Sequence, residues 1–154
     1  MNNIGRLLGV DHGLARIGLA LSDPMQVVAR PFSILAHTNQ RADLRAIARV
    51  ASENDVAKIV IGLPTDTLGG LSKQALIVIH WARKLRNALS IPIVFWDESY
   101  STIVADEIAR ANKKRRLRST DDIAAAAMLQ EYLNSLEGNT HETGRPLEAF
   151  ASLK

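Results

Sequence analysis

Apolar positions along the chain change period from segment to segment. Leu7, Leu8 and Val10 are apolar on both faces of an extended stretch, the pattern of a covered central strand, and predict a strand over 6–11. A second strand is predicted over 16–22, with Gly5, Gly13 and Pro24 punctuating the pair. Over 40–54 the period becomes helical. Leu44, Ile47, Ala48 and Ala51 share one stripe, with Arg41, Asp43, Arg45 and Arg49 largely outside it. The β-branched KIVIG at 58–62 predicts a strand, followed by the loop LPTDTLGGL. Ser72 then caps a long helix to about residue 90. A short strand over 93–96 ends at Asp97-Glu98, and helices are predicted over about 102–111 and 121–136.

Two antiparallel strands followed by helix, strand, helix, strand and helix predict an α/β fold, a mixed sheet with helices on its faces. No repeat or linker divides the chain. The expected unit is 1–136, with 137–154 a polar, Gly- and Pro-interrupted tail that is loosely ordered. In the long helix, Ala75, Val78, Ile79, Ala82, Leu85 and Leu89 form a core stripe, and Leu76, Ile77 and Trp81 widen it around the cylinder. A broad core contact is the expectation; a homodimer through the 72–90 helix is the alternative.

Composition narrows the chemistry. A chain of 154 residues, 47% of them apolar, can bury a sizeable core. It has no cysteine, which excludes disulfides, thiol catalysis and Cys-ligated zinc and fits a reducing cytoplasm. MNNIGRLLGVDHG reaches an acid too soon for a signal peptide, and no run of about 18 apolar residues predicts a membrane span. A cytoplasmic protein without membrane contact is expected. The net charge of +3 matters through its distribution: Lys113, Lys114, Arg115, Arg116 and Arg118 lie close together.

Three acids stand at element ends. Asp11 closes the first strand in LGVDHGLARIGLALSD, Glu98 follows IVFW, and Asp121 opens the last helix in STDDIAAAAML. Each also has a plain reading, as a turn residue, a solvated loop acid or part of a helix start. Ser119 and Asp122 are spaced as a capping box, which accounts for Asp122 and leaves Asp121 without a capping task. Asp97 should face away from Glu98. Converging carboxylates suit Mg²⁺ or Mn²⁺, one ion or two, and a two-ion site hydrolyses phosphodiesters. The basic run beside Asp121 suits a nucleic-acid backbone. Aromatic residues are only 5%, so backbone and shape recognition is favoured over base stacking. His12, His37, His80 and His141 have no metal-ligand spacing.

Four blocks in order carry a family resemblance: GVDHGLARIGLALSD, IVIGLP with a glycine loop, WDESYST, and DDIAAAAMLQEYL. Together they resemble the YqgF (RuvX) family of pre-16S rRNA nucleases and Holliday junction resolvase-like proteins. The resemblance implies an RNase H-like fold and a metal-dependent nuclease whose acidic positions fall on Asp11, Glu98 and Asp121. It places Arg16 as a phosphate contact or an orienting residue. Ser99 stands where the family usually has arginine, Asp66 where asparagine is usual, and His12 where an aromatic or apolar residue is common. Ala124 and Ala125 leave no fourth acid after Asp121. The expected activity is hydrolysis of structured RNA at the 5′ end of a pre-16S rRNA. Branched DNA is the alternative substrate, and a non-catalytic RNA- or ribosome-binding factor is the rival class.

Overall fold

Strand β1 (Arg6–His12) lies between two others, as its two apolar faces require. It pairs antiparallel with β2 (Arg16–Ser22) and parallel with β4 (Val56–Leu63). The computed structural model describes residues 4–64, 70–97, 107, 108, 110, 121–137 and 144–153. Its sheet has the order β3-β2-β1-β4-β5-β6, with β3 (Ala29–Ala36) antiparallel to β2, β5 (Ile93–Asp97) parallel to β4 and the short β6 (Arg145–Pro146) antiparallel to β5.

Helices cover both faces. On one side lie α1 (Gln40–Glu53) and α2 (Lys73–Ala88), whose Ile47, Ala51, Val78, Ile79 and Leu85 pack on Leu8, Val10, Ile59 and Ile61. On the other lies α3 (Asp121–Leu136), whose Ala125, Ala126, Leu129 and Tyr132 pack on Leu7, Ala20, Val60 and Val94. The caps are local and polar: Asn39 accepts from the Ala42 amide at 2.8 Å, and Ser72 from the Ala75 amide at 3.1 Å. No described helix is long and apolar enough to cross a membrane.

Three expectations need correction. Strand β3 is absent from the sequence reading because Pro31 interrupts it. Proline is tolerated there because β3 is an edge strand, and the register slips by a residue between Leu19 and Ala20, which pair with Ser33 and Pro31. The 137–154 segment is not wholly a loose tail. Arg145–Pro146 forms β6 against β5, and the 3₁₀ turn Leu147–Phe150 buries Leu147 and Phe150 in the α1–α2 core. Two apolar side chains in a polar stretch meet the core, and the β6 pairing and the Arg145–Asp97 ion pair hold the segment beside them. Asp43 is not on the solvent side of α1 but 5% exposed.

Trp81 is buried within the chain, whereas Ile77 on the same helix is exposed. The predicted 102–111 helix lies outside the described residues except for 107, 108 and 110, which are helical.

Candidate active site

The β1–β2 hairpin carries the first acid. Asp11 pairs with Gly18 across the two strands. Leu7 and Gly9 belong to the face that meets α3, so strand alternation puts Asp11 on that face too, at the carboxyl end of β1. It is half-buried.

Helix α3 reaches the same place with its first residue. The carbonyl oxygen of Asp121 occupies the space that a Cβ at Gly18 would fill. Farther along, a Cβ at Gly9 would lie 3.0 Å from Leu129 Cβ and 3.2 Å from the Ala125 carbonyl oxygen. Two glycines on facing strands therefore let the helix down onto the hairpin and fix where Asp121 arrives. Its carboxylate accepts a hydrogen bond from Arg16 Nε at 2.6 Å. Arg16 begins β2 on the same face as Gly18, since strand residues two apart share a side. Asp11, Gly18, Arg16 and Asp121 thus lie on one patch, where the Arg16 guanidinium pairs with the Asp121 carboxylate. The donor set is all oxygen, the kind that hard divalent cations prefer.

Asp122, beside Asp121, is buried. Asp97 pairs with Leu63 on β4 and is ion-paired with Arg145 at 2.8 Å. Strand β5 runs parallel to β1 with β4 between, so its carboxyl end lies at the sheet edge where Asp11 sits. In open α/β sheets that edge is where ligands collect. Glu98, Lys113, Lys114, Arg115, Arg116 and Arg118 fall outside the described residues. Among the described residues no group of three acids or histidines converges as a metal site.

Asp23, the second acid of the opening segment, organises the turn into β3. It accepts from the amides of Val27, Val28 and Met25 at 2.7, 2.8 and 3.2 Å. Partial burial pushes its pKa up, but these hydrogen bonds outweigh burial and leave it below the ordinary carboxylate value.

His12 faces away from Asp11. Its ring packs between Trp81, with centroids 4.5 Å apart, and His37, 5.1 Å away. Burial first, and then the neighbouring His37, push its pKa down. His37 and Asp43, expected as a histidine without metal-ligand spacing and as a polar-side residue of α1, form a 2.8 Å pair beneath the hairpin turn. The available signal was a set of polar residues flanking the helix cap Asn39, but a charged residue in a first helical turn reads as solvated unless its partner is known.

The chain matches the RuvX family, described as a Holliday junction resolvase, over residues 5–135. It is 41% identical over 132 residues to the "Putative pre-16S rRNA nuclease" of Syntrophomonas wolfei, covering 84% of this chain and 94% of that one. The Rickettsia typhi protein of the same name is 34% identical over 134 residues, covering 85% and 86%. Among solved structures, Thermus thermophilus RuvC in complex with a Holliday junction substrate superposes with a TM-score of 0.62 at 13% identity. That match covers 92% of this chain and 99% of RuvC. The fowlpox virus resolvase in complex with Holliday junction DNA gives 0.56 at 12% identity, covering 85% and 98%. At such identities the likeness is one of fold, and the fold is RNase H-like. The chain belongs to the RuvX family, a family of nucleases that hydrolyse phosphodiester bonds.

Proposed function

We propose that the chain cleaves structured RNA at the 5′ end of a 16S rRNA precursor, in the cytoplasm, with Asp11, Glu98 and Asp121 as its acidic residues. The observation that carries this reading is the seating of Asp121 on Gly18, which brings the α3 carboxylate to the strand pair that holds Asp11. The named relatives support the substrate. Mg²⁺ or Mn²⁺, one ion or two, would be held by these acids and would supply Lewis acidity for phosphodiester hydrolysis.

The chain's own groups have separate tasks. Asp11 and Asp121 provide the negative charge that a divalent cation requires. Arg16, half exposed beside Asp121, meets a phosphate oxygen and orients the backbone. The basic residues Lys113, Lys114, Arg115, Arg116 and Arg118 hold the flanking RNA by charge. A four-way DNA junction is a second substrate reading, favoured by the family description and by the junction bound to the RuvC structure.

The test is cleavage of labelled precursor rRNA, a four-way junction and linear duplex in Mg²⁺, Mn²⁺ or EDTA. Precursor cleavage should stop in EDTA and fall by at least about 100-fold in Asp11→Asn and Asp121→Asn, the loss of several kcal/mol of transition-state stabilisation. Cleavage that survives both substitutions contradicts the site. Cleavage of the junction alone replaces the RNA reading with the DNA one.

A further inference from the structure

On the α1–α2 face, opposite Asp11, lies a cavity of ≈ 440 Å³ lined by His12, His37, Asp43, His80, Trp81 and Lys84 with three further residues. His37 is the residue that connects this cavity to the β1–β2 turn. Its Nδ1 is 2.8 Å from Asp43 Oδ2, and its Nε2 is 2.8 Å from the carbonyl oxygen of Gly13. Its own amide donates to the carbonyl of Ala15 at 3.1 Å. The turn between Asp11 and Arg16 is therefore held from beneath by one residue, through both a side chain and a main-chain contact.

With Asp43 ionised, the two ring contacts favour the protonated ring. A backbone carbonyl accepts only, and so does an ionised carboxylate. A neutral imidazole has one N–H, so it satisfies one of these oxygens and turns a lone pair on the other. Only the imidazolium donates to both. Asp43 is itself fixed in place, with its other oxygen taking the Thr38 amide at 3.3 Å.

We propose that His37 is a positioning residue for cleavage: as the imidazolium it clamps the Gly13–Ala15 turn to helix α1, and loss of its proton loosens the turn that joins the strands of Asp11 and Arg16. The proposal rests on the preceding assignment of those two residues to the nuclease site. The groups facing His37 act in both directions. Asp43 of α1 favours the cation, the Gly13 carbonyl adds to it, and Lys84 of α2 opposes it. His12 of β1 and His80 of α2 oppose it only when they are themselves protonated. Consistent with this balance, the Asp43 hydrogen bond raises the His37 pKa above its ordinary 6.5, with burial opposing and the Gly13 carbonyl reinforcing. The clamp is thus complete below pH 6.5 and is released as pH rises through the higher folded value. The ring is 25% exposed toward the cavity, which gives its proton a path to solvent.

The test begins with the unmodified protein, followed by NMR from about pH 5 to about pH 9, a window that brackets a raised histidine. The His37 ring should titrate above 6.5, and the amides of Gly13, Leu14 and Arg16 should follow the same curve. Asp43→Asn should bring the midpoint down toward 6.5. For cleavage, the ratio of wild-type to His37→Gln rate removes the intrinsic pH dependence of the chemistry. That ratio should be about 10-fold while the clamp is closed, the scale of losing an orienting contact, and approach one above the midpoint. Turn amides that ignore the His37 titration, or a ratio constant across pH, would overturn the proposal. A protein that cleaves nothing defeats the nuclease assignment, while the amide titration still decides whether the clamp exists.

Discussion

Gly18 and Asp121 meet backbone to backbone: the carbonyl at the start of α3 sits where any other residue at position 18 would put its Cβ. The sheet thereby sets the position of the helix acid, and Gly18 pairs with Asp11 on the next strand. Gly18→Ala must push α3 off the hairpin. Overpacking of this kind costs about 1–3 kcal/mol, readable in a urea melt. Cleavage should fall further than the stability loss accounts for, because the separation of the two acids changes. A variant with wild-type stability and rate would mean that the contact positions nothing.

Arg16 and Asp121 form a partly exposed ion pair, with side chains 51% and 33% exposed, so it contributes little to folding. Arg16→Ala should change stability by less than about 1 kcal/mol. It should weaken RNA binding across sequences alike and reduce the salt slope by about one charge. Divalent affinity should rise, since Asp121 loses its competing cation. An unchanged salt slope would remove Arg16 from the RNA-binding surface.

The C-terminal segment is part of the folded unit. Phe150 meets Phe95 edge to face at 5.4 Å, lies under the Arg145 guanidinium, and gives its carbonyl to Arg83. Phe150→Ala should cost about 3–5 kcal/mol and Leu147→Ala about 2–5 kcal/mol in chemical denaturation. A chain ending at residue 136 should be destabilised to a similar degree. Unaltered midpoints would return the segment to the status of a tail.

Asp23 makes stability fall on the acid side. Its folded pKa lies below 3.8, so its contribution is present above that value and is lost as pH falls through the folded pKa. Asp23→Asn removes this contribution, and the difference between the two proteins in ΔG of unfolding should shrink as pH drops below 3.8. A difference independent of pH would mean that the amide contacts persist without the charge.

Elements whose signals are local were legible in the chain. The bounds of β2 and α3 match the structure because Gly13 and Pro24 bracket the first, and the acidic start of the apolar run marks the second. Strand β3 was not legible, because proline argues against a strand unless one knows that the strand is at an edge. The docking of Leu147 and Phe150 depends on a core assembled from residues distant in sequence. The same holds at the site. Positions at element ends and the family resemblance nominated Asp11 and Asp121, but their meeting depends on Gly18, whose role appears only once α3 lies across the hairpin. The pairing of His37 with Asp43 was not legible for that reason too, since the turn they hold comes from another part of the chain.

The central claim is that Asp11 and Asp121 belong to one cation-holding site. Paramagnetic broadening by Mn²⁺ in an amide spectrum of the isotope-labelled protein tests it most directly. The amides of Asp11, Gly18 and Asp121 should broaden together at the lowest Mn²⁺ additions, and Asp11→Asn or Asp121→Asn should abolish the effect at all three. Broadening that centres on Asp23 or Asp97, or that persists in both variants, would contradict the claim.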